Sequence, residues 1–333
     1  MRNAEEPPAT HLARVLEAGH FAVTAETSPP VGPNRGAMER QIDRLRGCAD
    51  AFNVTDNQAA RVHTSGLAAS ILVRQAGLEP ILQLTCRDRN RLGLQSDLLG
   101  AAMFDIGNVL ALSGDDPVWG DHPQAKSVND IDSINLIRMI RMMTDDGVFE
   151  NGEKIPKIVP KFFVGAAANP FAPPFDYRPD RLAKKIVAGA QFVQTQLVFN
   201  IERFREYMRR VVDLGLHEKV FILAGIGPIR SRRGAEYMAE KVAGMDVPDE
   251  IVKRMDADSK EAQERAGLDI AVEVGEAVRD TEGVRGIHIM AVSWSAAIPQ
   301  IVERLGLDER PRFSDVESGL HIASEEALTT GSQ

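Results

Sequence analysis

The sequence predicts a single-domain α/β protein of the (β/α)8, or TIM-barrel, class. Three observations predict it. Eight short apolar runs recur along 333 residues, stretches with helical periodicity separate them, and no G-x-G-x-x-G follows the first run. Continuous apolar strands alternating with helices mean a parallel sheet covered on both faces, and eight such units close into a barrel. The missing glycine fingerprint counts against the dinucleotide-binding form of the competing open, doubly wound sheet.

The expected strands are Phe21–Glu26, Phe52–Val54, Ile81–Thr85, Val109–Leu112, Lys161–Val164, Phe192–Gln196, Val220–Leu223 and Ile287–Ala291. Between them, "AMERQIDRLRGC", "GLAASILVRQAG" and "INLIRMIRMM" repeat apolar residues every three or four positions, as an amphipathic helix does. Pro179–Asp180 is the expected start of the helix "RLAKKIVAGA", which stops at Gly189; Asn200 and Gly215 bracket the next one. Residues 144–158 are polar and turn-rich and read as a surface excursion. Residues 245–278 read as a helical insertion before strand eight. The domain is expected to span 1–333, with 1–19 an N-terminal extension and 310–333 a C-terminal tail.

The formal charge of -9 and scattered Lys and Arg exclude a nucleic-acid footprint. The N-terminal residues lack the apolar centre of a signal peptide, and no apolar run approaches the ~20 residues of a membrane span. A cytoplasmic protein without membrane partners is the expectation. Cys48 and Cys86 are too few for a disulfide framework, and the seven histidines show no ligand spacing, so no metal is expected.

In a barrel, the C-terminal ends of the strands form the active face. Polar residues gather there: Glu26, then Thr55, Asp56 and Asn57, then Gln83, Thr85, Arg87 and Asp88, then Ser113, Gly114 and Asp115, and finally Thr195 and Gln196. A carboxylate ending an apolar strand is costly to bury, which raises its pKa and suits a general acid. Glu26 is therefore the first candidate. Asp115, pushed out of the turn in "LSGDD", reads taken alone first as a cap, and with the other rim residues as a second acidic group facing a shared pocket. The small residues of "GAAANPFAPP" leave room for a flat ligand or simply make a tight loop. Arg181 and Lys185 share a helix face at i, i+4, where they serve either a phosphate or the solvent. Cys86 reads as a small buried hydrophobe.

Taken in order, "VTAETSPP", "NVTDN", "LTCRDRN", "ALSGD", "RLAKKIVAGAQFVQTQ" and "GIGPI" resemble the methylenetetrahydrofolate reductase family from about residue 20 to 306. "DIDSINLI", "FFVGAAANPFAPP" and "GIHIMAVSW" are most similar to the branch found with acetogen-type one-carbon pathways. The resemblance implies a flavin-containing barrel that reduces 5,10-methylenetetrahydrofolate to 5-methyltetrahydrofolate with NADH or NADPH. FAD is the implied flavin, with FMN as the alternative. A homo-oligomer is implied, and some members of the branch use an accessory subunit. Carried over by motif, Glu26 is the general acid, Asp115 lies near the flavin pyrimidine and the folate, and Gln196 holds the pterin. Thr55, Gln83, Ser113, Gly114, Ala166, Arg181, Lys184 and Lys185 fall at flavin-binding positions. The pattern departs at Gln83 and Ser113, where well-studied bacterial members carry histidine and arginine. It departs again at Trp294, in place of an arginine that meets the folate. Two other readings stand beside the reductase: a flavin-free folate-binding or methyl-transfer component, and a flavin subunit active only within a larger complex.

Overall fold

The computed structural model describes residues 10–242, 244–292 and 294–313. The eight strands are β1 (Ala22–Thr27), β2 (Ala51–Val54), β3 (Pro80–Thr85), β4 (Asn108–Leu112), β5 (Phe163–Ala168), β6 (Phe192–Leu197), β7 (Phe221–Ile226) and β8 (Val284–Ile289). They pair in parallel, in sequence order, and β8 pairs back to β1 to close the barrel. Helix α1 (His11–Glu17) precedes β1. One helix follows each of the first six strands: α2 (Arg35–Leu45), α3 (Gly66–Gln75), α4 (Arg91–Met103), α5 (Ser133–Arg141), α6 (Arg178–Val187) and α7 (Ile201–Asp213). Between β7 and β8 come α8 (Arg232–Lys241), α9 (Asp249–Arg254) and α10 (Lys260–Arg279), the last two being the expected insertion. Helix α11 (Ala297–Arg304) follows β8. Among the described residues, no helix is long and apolar enough to cross a membrane.

All the expected strands form, with shifted ends. β5 begins at Phe163 and runs on through Gly165, Ala166 and Ala167, residues that sequence alone reads as loop. Small side chains are required there: a Cβ on Gly165 would lie 2.2 Å from the Phe192 ring. The helix after β5 also starts earlier than expected. α6 begins at Arg178, with Pro179 in its first turn, where a missing amide costs nothing. Asp180 thus stands inside the helix and does not cap it. The 144–158 segment folds back on itself through an antiparallel bridge from Val148 to Lys154.

Strand alternation stacks the barrel interior in layers. At the bottom, Ala22, Ala51, Ile81, Leu110, Phe163, Phe192 and Leu223 form one apolar cluster with Leu12, Ala13, Val15 and Leu16 of α1. The part of the N-terminal extension that is described is therefore the barrel's floor. Thr10 caps α1 by accepting from the Ala13 amide, and the Glu79 carboxylate accepts from His11 and Leu12. Those three bonds satisfy amides that a helix start otherwise leaves open. Nearby, Arg310 donates twice to buried Asp50, at 2.6 and 3.1 Å, and straps the chain end under the floor. Two residues further along β1, β2 and β6, and level with them on β8, the interior turns polar, with Thr24, Asn53, Gln194 and His288 all buried. Above them the barrel opens.

Candidate active site at the barrel mouth

A half-open cavity of about 350 Å³ occupies the C-terminal end of the barrel. That is enough for one flat ring system at the small end of ligand pockets. Glu26 from β1, Gln83 from β3, Gln194 and Gln196 from β6 and His288 from β8 line it, together with Arg178, Arg181 and Lys185 from α6. Sequence and fold agree on the reason: side chains near the ends of β1, β3, β4, β5, β6 and β8 face the same opening.

Among the described residues, Glu26 has no cationic partner. Burial pushes its carboxyl up to about 7, against a weaker opposing hydrogen bond from the Gln83 side chain. Such a group still carries its proton in about half of the molecules at neutral pH and can give it to a basic nitrogen. Across the cavity, burial and the neighbouring Arg181 charge push Lys185 down to about 8, and Asp132 opposes them. Its Nζ donates to the Ala167 carbonyl at 2.5 Å. Arg181 lines the same wall, half-buried, with no acidic partner among the described residues. Two cations on one wall, with no ion pair formed among the described residues and only the more distant Asp132 charge acting on Lys185, make an anion site in waiting.

Ser113 sits on a saddle. It lines both the main cavity and an adjoining depression of about 290 Å³ that holds Gly114, Asp115, Asp116 and Asp132. Its hydroxyl donates to Ser133, which also lines the main cavity. Asp115 lies in that depression and does not line the cavity around Glu26. Its Oδ2 accepts from the Ala59 amide at 3.0 Å and ties the loop after β4 to the loop after β2. Gly114 makes the turn possible. Its φ of +90° suits glycine, and a Cβ would lie 2.8 Å from Cβ of Arg87. Buried Arg87 locks the same junction by donating to the carbonyls of Asp115 and Asn57.

Three further residues named from sequence stand off the cavity wall. Thr55 is buried and donates to Gln58. Ala166 is fully buried within β5. Lys184 points outward, donating to the Tyr177 hydroxyl and lying over its ring. Trp294 carries the Arg230 guanidinium 5.8 Å from its ring centre, and Arg230 pairs with Glu264. Burial pushes the thiol of Cys86 up to about 12, consistent with an inert side chain.

Sequence reasoning missed Asn53, Gln194 and His288. Asn53 and Gln194 exchange two amide hydrogen bonds, of 2.6 and 2.9 Å, across the barrel. Gln194 donates further to Thr24, whose hydroxyl lies 3.0 Å from His288 Nδ1. Strict alternation was the available signal: Thr24 shares a face with Glu26, and His288 shares one with Met290.

The sequence pattern of the methylenetetrahydrofolate reductase family matches residues 11–306. The chain belongs to that family. It is 24% identical over 299 residues to the 5,10-methylenetetrahydrofolate reductase of Escherichia coli (strain K12), covering 87% of this chain and 92% of that one. It is 26% identical over 250 residues to a probable methylenetetrahydrofolate reductase (NADPH) of Caenorhabditis elegans, covering 73% of this chain and 34% of that protein. The chain thus spans about a third to a half of the length of the eukaryotic relatives it matches. Among solved structures, a Clostridium thermocellum protein described as binding two copies of 5-methyl-5,6,7,8-tetrahydrofolic acid shares the fold. Its TM-score is 0.62 at 14% identity, with 90% of this chain and all of that one covered.

Proposed function

We propose that the cavity at the barrel mouth reduces 5,10-methylenetetrahydrofolate to 5-methyltetrahydrofolate, with NADH or NADPH as the source of hydride. The observation that carries this reading is Glu26: a carboxyl without a cationic partner among the described residues, raised to about 7, bonded to the Gln83 amide and sharing its cavity with Gln196. Its proton goes to the departing ring nitrogen of the bridging methylene. The carbon–nitrogen bond breaks, its electrons stay on that nitrogen, and the carbon becomes an iminium held by the other nitrogen. Hydride addition to that carbon completes the methyl group. The Glu26 carboxylate left behind regains its proton from water through the open mouth. Gln196 holds the pterin by pairing donor and acceptor edges with it.

The α6 wall fits a phosphate-bearing flavin, because Arg181 and Lys185 offer cationic groups that form no ion pair among the described residues. FAD, or FMN as the smaller option, would be held there and would supply the hydride-transfer chemistry. Ser113 and Gly114 connect that wall to Asp115, whose negative charge would disfavour an anionic reduced flavin. The placement of Thr55, Ala166 and Lys184 away from the cavity favours a second reading, a flavin-free folate-binding barrel. Heat release of any bound chromophore from the purified protein, followed by its identification, separates the two. A yellow protein that releases FAD supports the first reading. A colourless protein that takes up neither FAD nor FMN removes the flavin from it.

A further inference from the structure

We infer that Gln83 is the positioning residue of the acid: its side-chain amide holds the Glu26 carboxyl in both the protonated and the ionised form, and so keeps it aimed while the proton leaves and returns. The inference rests on the folate reading above and gives Gln83 a place in it.

Three glutamines line the cavity, and their amides are held differently. Gln194 is tied at both ends, exchanging bonds with Asn53 and donating to Thr24. Gln196 accepts from the Leu197 amide through Oε1 at 2.9 Å. A backbone N–H can only donate, so turning that side chain over would set two donors against each other. Gln83, 9% exposed, bonds through its side chain to Glu26 and, among the described residues, to no other group. Its backbone does not share that freedom. β3 pairs with β2 on one side and β4 on the other. Two residues on, Thr85 gives its amide and hydroxyl to buried Asp56, which Arg89 grips on both oxygens. The stem of Gln83 is therefore fixed, while the terminal torsion of a glutamine is broad and roughly two-fold.

A fixed stem with a free end suits a partner whose own character changes. A protonated carboxyl offers one O–H and acceptor oxygens, whereas an ionised one only accepts. The Gln83 oxygen can take the O–H. Its nitrogen can donate to the carboxylate once the proton has gone to the departing ring nitrogen. A half-turn of the amide connects the two arrangements, and Gln83 gains and loses no proton in either. Without it, the carboxylate left after transfer would lack a donor on a half-buried wall, at the cost of an unmade bond.

The charged and titratable groups around Glu26 leave that task to Gln83. α6 contributes Arg178, Arg181 and Lys185 to the same cavity, and β8 contributes His288, which burial keeps neutral by pushing it down to about 3. Past the end of β2, Asp56 is already paired with Arg89, and past the end of β3, Arg87 is paired with Asp88. Asp115 and Asp132 lie in the adjoining depression. Among the described residues, none of these bonds to Glu26. Burial raises its carboxyl to about 7, and the Gln83 bond opposes that rise.

The test is the pH profile of folate reduction by the whole protein. In wild type the rate should fall as pH rises through about 7, where Glu26 loses its proton. Gln83→Met and Gln83→Asn, which remove or withdraw the amide, should move that fall upward by about one pH unit, because a carboxylate without its donor binds the proton more tightly. At about pH 5.5 both should run about tenfold slower than wild type, the acid being no longer aimed. Gln83→Glu keeps the length and, protonated at that pH, a donor and an acceptor, so it should stay within about threefold. A fall that keeps its wild-type position in the Met and Asn variants overturns the inference. So does a Gln83→Glu protein as slow as Gln83→Met in acid. Wild-type protein that reduces no folate brings down the folate reading instead. The infrared titration of the Glu26 carboxyl, identified by its loss in Glu26→Gln, then decides: its midpoint must still rise in Gln83→Met, and an unmoved midpoint overturns the inference there too.

Discussion

At the bottom of the barrel Asp50 is wholly enclosed, yet Arg310 grips both its oxygens and the Val23 amide donates to it. Burial pushes its pKa up, but bonds from His11 and Arg310 and the Arg310 charge outweigh that and hold the carboxyl below the usual carboxylate range. At the top, Glu26 is half-buried at the cavity wall, has no cationic partner among the described residues, and moves the opposite way, to about 7. Both carboxyls meet β1: Glu26 lies one residue before its C-terminal end, and Asp50 accepts from the Val23 amide near its start. The difference lies in the partners. Where the fold needs a charge, it supplies the counter-charge; where it leaves one out, the charge is kept for something that binds. Lys185 repeats the upper pattern with the opposite sign.

The largest effect should come from removing the upper acid. Glu26→Gln keeps the shape and loses the proton, so folate reduction should fall by roughly 10²–10⁴-fold, the span of general acid catalysis. Oxidation of NADH by an artificial acceptor should survive, because it does not need that proton. Equal loss of both half-reactions would show that Glu26 acts on something other than the folate nitrogen.

Next in size is the lower pair. Arg310→Ala leaves Asp50 buried and short of its strongest partner, which costs about 3 kcal/mol in a denaturant titration. The sign with pH is fixed by the lowered folded value. Asp50's contribution is complete above the unfolded carboxylate pKa and is lost as pH falls through the folded one. Wild type and variant should therefore converge in acid. Turnover per folded molecule should stay unchanged, since this pair lies at the far end of the barrel. A variant that is stable but inactive would break the comparison between the two ends.

How far the sequence carried these points depends on where each residue sits along its strand. The barrel was legible because apolar runs of near-constant length alternate with helical spacing, a signal repeated eight times. Glu26, Gln83 and Gln196 were legible as polar residues closing apolar runs. Asn53 and His288 were not, because each lies mid-strand between two apolar neighbours, and Gln194 was masked by Gln196, the polar residue that closes the same run. Asp115 illustrates a different limit. Its motif marks the turn, but the turn's direction comes from the positive φ of Gly114 and from Arg87, which are tertiary facts. The Asp50–Arg310 pair joins residues 260 apart, and no local pattern announces it.

Glu26→Gln also makes a stability prediction that sharpens the contrast. A folded pKa raised from 4.5 to about 7 means the native state holds the proton more tightly than the unfolded chain. Native stability therefore falls as pH rises from about 4.5 through 7. Above that window the glutamine variant should be more stable than wild type by about 2 kcal/mol, a figure reduced from the full shift because Glu26 is part-exposed. Below the window the two should coincide. Opposite changes in activity and stability from one substitution are what a functional rather than structural carboxyl predicts.

The smallest effect expected is at Lys185, where the sign reverses. Its pKa falls from 10.5 unfolded to about 8 folded, so between those values the unfolded chain holds a proton that the native state has shed. Native stability accordingly rises with pH across that window, and below pH 8 the protein carries the full cost of a buried ammonium. Lys185→Met removes the charge but also the bond to the Ala167 carbonyl, leaving a net gain of about 1–2 kcal/mol at pH 7 that vanishes above about pH 10.5. If the wall exists to hold an anion, added FAD should raise the melting temperature of wild type and do so less for the variant, because a ligand stabilises the state that binds it. Equal shifts in both proteins would place the phosphate elsewhere and leave Lys185 as a strut for β5.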